Sequence, residues 1–168
     1  IILTAPSRRD DKKIRDPYAT YSDAEIKAIA DFNAAGGTVI LAGWSDYYES
    51  YGSFPAADHM AAQQNLLLAA MGSSLRISDD ATKDEVRSAV DGVETHRLYF
   101  SDYNMANPLN KGVIVDDDHP YDKMYTERFS HYGGASVYVV DANGTPTSKL
   151  PNTVSPVVYG HATTYSMD

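Results

Sequence analysis

The sequence predicts an α/β fold: a three-layer sandwich with a mostly parallel central sheet, extended by an irregular, β-rich C-terminal half. Three observations point there. A short apolar strand opens the chain, a helix with its own start and stop signals follows, and a second, uniformly apolar strand runs straight out of a double glycine. An apolar run without alternation is the pattern of a strand covered on both faces in a parallel sheet. Strand, helix and strand in that order read as a right-handed βαβ unit.

The elements follow in order. IILTAP, residues 1–6, is a strand stopped by Pro6, and the charged stretch up to Asp16-Pro17 is a loop. In YSDAEIKAIADFNAAGG, Ser22 and Glu25 have the spacing of a capping box. Ile26, Ile29, Ala30 and Phe32 then recur at helical spacing, and Gly36-Gly37 end the helix. TVILAG is the second strand. Residues 55–72 read as a second helix, with Pro55 near its start, Met60, Leu67 and Met71 as core and Gly72 at its end. Residues 74–80 and 96–103 read as strands, 81–90 as a helical turn or loop, and 113–134 as irregular and acidic. Asp141-Ala142-Asn143-Gly144 is a turn within a strand region, and VSPVVYGHATTY is a final strand candidate.

With 168 residues the chain is expected to form a single domain, 1–168, large enough for a real core. A formal charge of −9 without a concentrated Lys/Arg cluster disfavours a nucleic-acid partner, since phosphate binding needs a positive field. No run approaches the roughly 20 apolar residues of a membrane span. The absence of cysteine removes disulfides, thiolate nucleophiles and Cys-based metal sites together. The 13 Tyr against 4 Phe, with many Asn, Asp, Ser and Thr, lean towards a secreted or cell-surface bacterial setting. Ile1-Ile2-Leu3 reads as a strand already in progress, so a piece of a larger multidomain protein is expected.

YSDAEIKAIADFNAAGGTVILAG, followed by Asn107-Pro108-Leu109-Asn110-Lys111-Gly112-Val113, resembles the class I glutamine amidotransferase-like superfamily over residues 1–115. The likeness is to its noncatalytic or uncharacterised branches. The resemblance implies a flavodoxin-like sandwich and a module inside a secreted bacterial protein, with other domains of the same polypeptide as partners. It also implies a nucleophile elbow at the end of the second strand. Glutaminase chemistry by that route needs a cysteine, which the chain lacks. Serine relatives resemble G-x-S-x-G; here Gly43 precedes Ser45 but Tyr47 follows it, so the elbow is half present.

The candidate residues carry competing readings. Ser45 as a nucleophile requires a base, for which His131 or His161 is available, and an acid such as Asp116, Asp117 or Glu127; the alternative is that Ser45-Asp46 cap a turn. His161 then packs beside Tyr159 and Tyr165, and His131 orders its loop. Trp44, Tyr47, Tyr48, Tyr51 and Phe54 offer a stacking surface for a glycan or small molecule, or else cover the sheet end. Asp116, Asp117, Asp118 and Asp122 are oxygen donors of the kind calcium takes, but lack the alternate spacing and central Gly of an EF-hand, which favours a solvated acidic loop. No other cofactor is expected. The leading expectation is a noncatalytic structural or ligand-binding module; a serine amidase or esterase, or a carbohydrate-binding surface, is the alternative.

Overall fold

The computed structural model describes residues 1–4, 9–10, 13–14, 20–43, 55–88, 94–100, 102–112, 129–132 and 134–167; at 9–10, 13–14, 100 and 129–132 it describes the backbone. These residues fall into two compact units, one within 1–81 and 134–151 and the other within 82–133 and 152–167.

In the first unit, β1 (Ile2–Thr4) pairs in parallel with the later strand Ile40–Ala42. The short strands β2 (Arg9–Asp10) and β3 (Lys13–Ile14) pair antiparallel. Helix α1 (Asp23–Ala34) starts at Ser22, where the serine hydroxyl accepts from the Glu25 N–H at 3.3 Å and the Glu25 carboxylate accepts from the Ser22 N–H at 2.8 Å. This reciprocal bond satisfies two of the free donors at the helix start. At the other end Gly36 takes a φ of +92° and the Gly37 N–H returns to the Phe32 carbonyl. A Cβ at Gly37 would lie 2.3 Å from the Phe32 ring, so the missing side chain lets that ring fold over the helix exit. Phe32 is accordingly exposed rather than inserted in a core, and the helix buries no residue fully.

Strand β4 (Ile40–Ala42) follows, then a 3-10 turn at Ala56–Asp58 and helix α2 (Met60–Ala70). Helix α2 is the centre of the unit: Met60, Ala61, Leu67 and Leu68 are buried, joined by Val139 and Val140 of a later strand. Asn65 ties α2 to β5 (Leu75–Ile77) in both directions, its amide donating to the Ile77 carbonyl at 2.9 Å and its carbonyl accepting from the Ile77 N–H at 2.8 Å.

The remaining strands are β6 (Ala81–Lys83), β7 (Arg97–Phe100), β8 (Phe129–Tyr132), β9 (Val137–Val140), β10 (Pro146–Thr147) and β11 (Tyr165–Met167). Strand β9 lies between β5 and β10, antiparallel to both, and the Asp141 to Gly144 turn joins β9 to β10. In the second unit β7 pairs antiparallel with β8, placing His131 opposite Leu98, and β6 neighbours β11. No helix among the described residues is long and apolar enough to cross a membrane.

The three-layer sandwich with a mostly parallel sheet is therefore corrected. The described residues hold two α-helices, one parallel strand pair and several small antiparallel pairings. Parallel neighbours need a crossover of a dozen or more residues, usually helical. Among the described residues no α-helix follows α2, so β5 takes its neighbour from the β9–β10 hairpin instead. The expected two-sided cover of the parallel pair is corrected too: Ile2 and Ile40 sit opposite each other with 68% and 52% of their surfaces exposed, while Leu3 and Leu41 are half-buried.

Candidate functional site

Of the imidazoles proposed as catalytic bases, His161 is the one whose surroundings are described. It opens a turn in which its own N–H donates to Thr164 Oγ1 at 3.0 Å and the Thr164 N–H donates to the His161 carbonyl. Thr163 and Thr164 in turn donate their hydroxyls to Asp84 Oδ2, at 2.8 and 2.9 Å. The other oxygen, Oδ1, accepts from the N–H groups of Val86 and Arg87, each at 2.8 Å. Asp84 is fully buried. Burial pushes its carboxyl up, but the Arg87 N–H, the Thr163 and Thr164 hydroxyls and the Val86 N–H outweigh that and hold it below the ordinary aspartate range. A carboxylate offers about four acceptor positions. Asp84 spends them on two turns distant in sequence, so it locks the 161–164 turn and has little capacity left to orient a base. Beside it, Tyr165 donates its hydroxyl to Glu85, and that hydrogen bond holds the phenol above its usual range.

The expected elbow at Ser45 lies beyond the described end of β4, where Gly43 faces α2. Gln64 reaches across from α2, fully buried, with Nε2 donating to the Ala42 carbonyl at 3.3 Å. A Cβ on Gly43 would stand 2.7 Å from Gln64 Oε1. A side chain at Gly43 would therefore collide with Gln64. Gln64 Oε1 itself is buried without a hydrogen-bond partner. Its neighbour Gln63 is fully engaged, accepting from the Tyr21 N–H and donating to the Ala57 carbonyl, both at 2.8 Å.

A third constellation was not legible in the sequence. His59, at the N-cap of α2, holds Nδ1 2.6 Å from Asp79 Oδ2, with side chains 15% and 39% exposed. The carboxylate fixes the orientation of the ring through Nδ1. Nothing in the spacing links the two residues; the one local signal is His59 standing directly before the apolar periodicity of α2.

The second unit contains Asn104, Asn107 and Asn110, of which Asn107 and Asn110 belong to the 107–113 resemblance motif. Asn104 donates to the Pro156 carbonyl at 2.8 Å, Asn107 to Pro156 at 3.0 Å, and Asn110 to Val157 at 2.6 Å and to Asn104 at 2.9 Å. Asn107 and Asn110 are buried. The 107–112 motif therefore clamps the 155–157 backbone.

Ser45, the aromatics Trp44, Tyr47, Tyr48, Tyr51 and Phe54, the acidic residues Asp116, Asp117, Asp118 and Asp122, and Glu127 lie outside the described residues, as does the side chain of His131. Among the described residues no group of three or more His, Asp or Glu side chains is placed to hold a metal ion. Compared with protein-family models, with curated proteins and with solved structures, the chain matches none.

Proposed function

We propose that this chain is a noncatalytic structural or ligand-binding module of a larger secreted bacterial protein. The observation that carries the reading is the commitment of Asp84. The carboxylate that shares a network with His161 is saturated by two backbone N–H groups and two threonine hydroxyls, which is the chemistry of a clamp. The asparagine clamp supports the same reading, because its amides grip backbone carbonyls. The larger, secreted bacterial setting rests on the superfamily resemblance and on the Tyr-rich, Cys-free composition.

Labelling with a fluorophosphonate probe, wild type beside Ser45→Ala, tests the proposal, since such probes mark activated serines. The folded protein is expected to remain unlabelled. Labelling that disappears in Ser45→Ala would overturn the noncatalytic reading. One observation favours that second reading, a serine hydrolase: the His59–Asp79 pair is an imidazole oriented by a carboxylate, as a general base requires. Labelling sensitive to both Ser45→Ala and His59→Gln would select it, with His59 rather than His131 or His161 as base. For the ligand-binding side, Trp44 is the sole tryptophan, and quenching of its fluorescence by soluble glycans would identify the aromatic run at 44–54 as the contact surface.

A further inference from the structure

The asparagines of this chain divide by what their side-chain amides do. Asn33 donates to the Gly37 carbonyl, Asn65 to that of Ile77, Asn104 and Asn107 to that of Pro156, and Asn110 to that of Val157. Asn143 and Asn152 are exposed, and their amides have no hydrogen-bond partner among the described residues. Asn152 is followed by β-branched Thr153. Asn143 is followed by Gly144, which has a φ of +79° and nothing within 4 Å of where a Cβ would stand.

We propose that Asn143 is a site of spontaneous deamidation whose rate is set by the turn that Asp141 holds together. The Gly144 backbone nitrogen, after losing its proton to solvent base, attacks Asn143 Cγ. A C–N bond forms, the bond from Cγ to the side-chain nitrogen breaks, and ammonia leaves, giving a succinimide. Water adds to either of its carbonyls, and an aspartyl or isoaspartyl residue results at position 143. No oxidant or cofactor is involved. Glycine is the residue that hinders the ring closure least, because no side chain crowds the attacking nitrogen.

The turn restrains this chemistry. The Gly144 N–H donates to the Asp141 carbonyl at 3.0 Å, and Asp141 Oδ1 accepts from the N–H groups of Asn143 and Thr145 at 2.8 and 2.9 Å. The Asp141 N–H closes the hairpin on the Thr145 carbonyl at 2.8 Å. The attacking nitrogen is therefore engaged until the turn opens locally, and such opening at an exposed hairpin tip costs far less than global unfolding. Conversion places a second carboxylate beside that of Asp141, and the isoaspartyl form adds an atom to the backbone between Val140 and Pro146, residues that pair across β9 and β10. Both changes loosen the hairpin.

The whole chain, incubated at mildly alkaline pH and digested, is followed by peptide mass spectrometry that separates amide, aspartyl and isoaspartyl forms at each asparagine. Conversion at position 143 is expected to exceed that at Asn152 by an order of magnitude or more, with the five tethered asparagines slower still. Asp141→Ala, and more mildly Asp141→Glu, are expected to accelerate it several-fold; Asn143→Gln is expected to abolish the mass change at this peptide. Conversion at 143 no faster than at Asn152 would overturn the site. Unchanged rates in both Asp141 variants would overturn control by the turn.

Discussion

The two units bury different chemistry. Around α2 the buried residues are mainly hydrocarbon, Met60, Ala61, Leu67, Leu68, Val139 and Val140, with Gln63 and Gln64 as the polar members of the helix. Among the described residues of the second unit, Leu98, Asp84, Ser88, Asn107 and Asn110 are buried, so polar side chains outnumber hydrocarbon ones there. Hydrocarbon burial is non-directional and tolerates adjustment. A buried polar set holds one geometry, because each group left without its partner costs a desolvation penalty. Among the described residues, the polar set of the second unit fixes turns and extended backbone, and the first unit packs α2 against a small sheet.

The largest effect is expected from breaking the hydrocarbon side. Leu67→Ala removes a fully buried side chain, and chemical denaturation should show a loss of roughly 2–5 kcal/mol. Next comes the polar side: Asp84→Ala leaves two backbone N–H groups and two threonine hydroxyls without their acceptor, a loss of about 3 kcal/mol. The folded-state pKa of Asp84 is depressed, so its contribution is present above the unfolded aspartate value and is lost as pH falls through the folded one. Wild-type stability should therefore decline on acidification below the ordinary aspartate range, and Asp84→Asn should flatten that decline in a series of melts against pH. A variant that keeps the full acid dependence would assign it to other carboxylates.

The smallest effect sharpens the contrast. Gln64 Oε1 is an unpartnered polar atom inside the more apolar unit. Gln64→Met keeps the volume and removes that atom, with an expected gain of about 1 kcal/mol. A loss instead would mean that the 3.3 Å bond to Ala42 outweighs the stranded oxygen, and the first unit would then depend on polar geometry as the second does.

The amino-acid sequence by itself determined the features whose partners lie within a few residues. The capping box of Ser22 and Glu25, the Gly36-Gly37 exit, the Gly72 stop of α2 and the Asp141 to Gly144 turn each close hydrogen bonds over three to five residues, so a short window contains both partners. The β1–α1–β4 unit was legible for the same reason, its parallel pairing implied by the helix between two apolar runs. Only the tertiary structure decided the rest. The pairing of β5 with β9 overturned the parallel sheet, Asp84 found Thr163 and Thr164, His59 found Asp79, and Gln64 found Gly43. An aspartate, a glutamine or a short apolar run offers the same groups to many partners, and no local period distinguishes among them. Which partner is taken depends on loop closure and on competition among all the groups that need one, and these act only when the whole chain is folded.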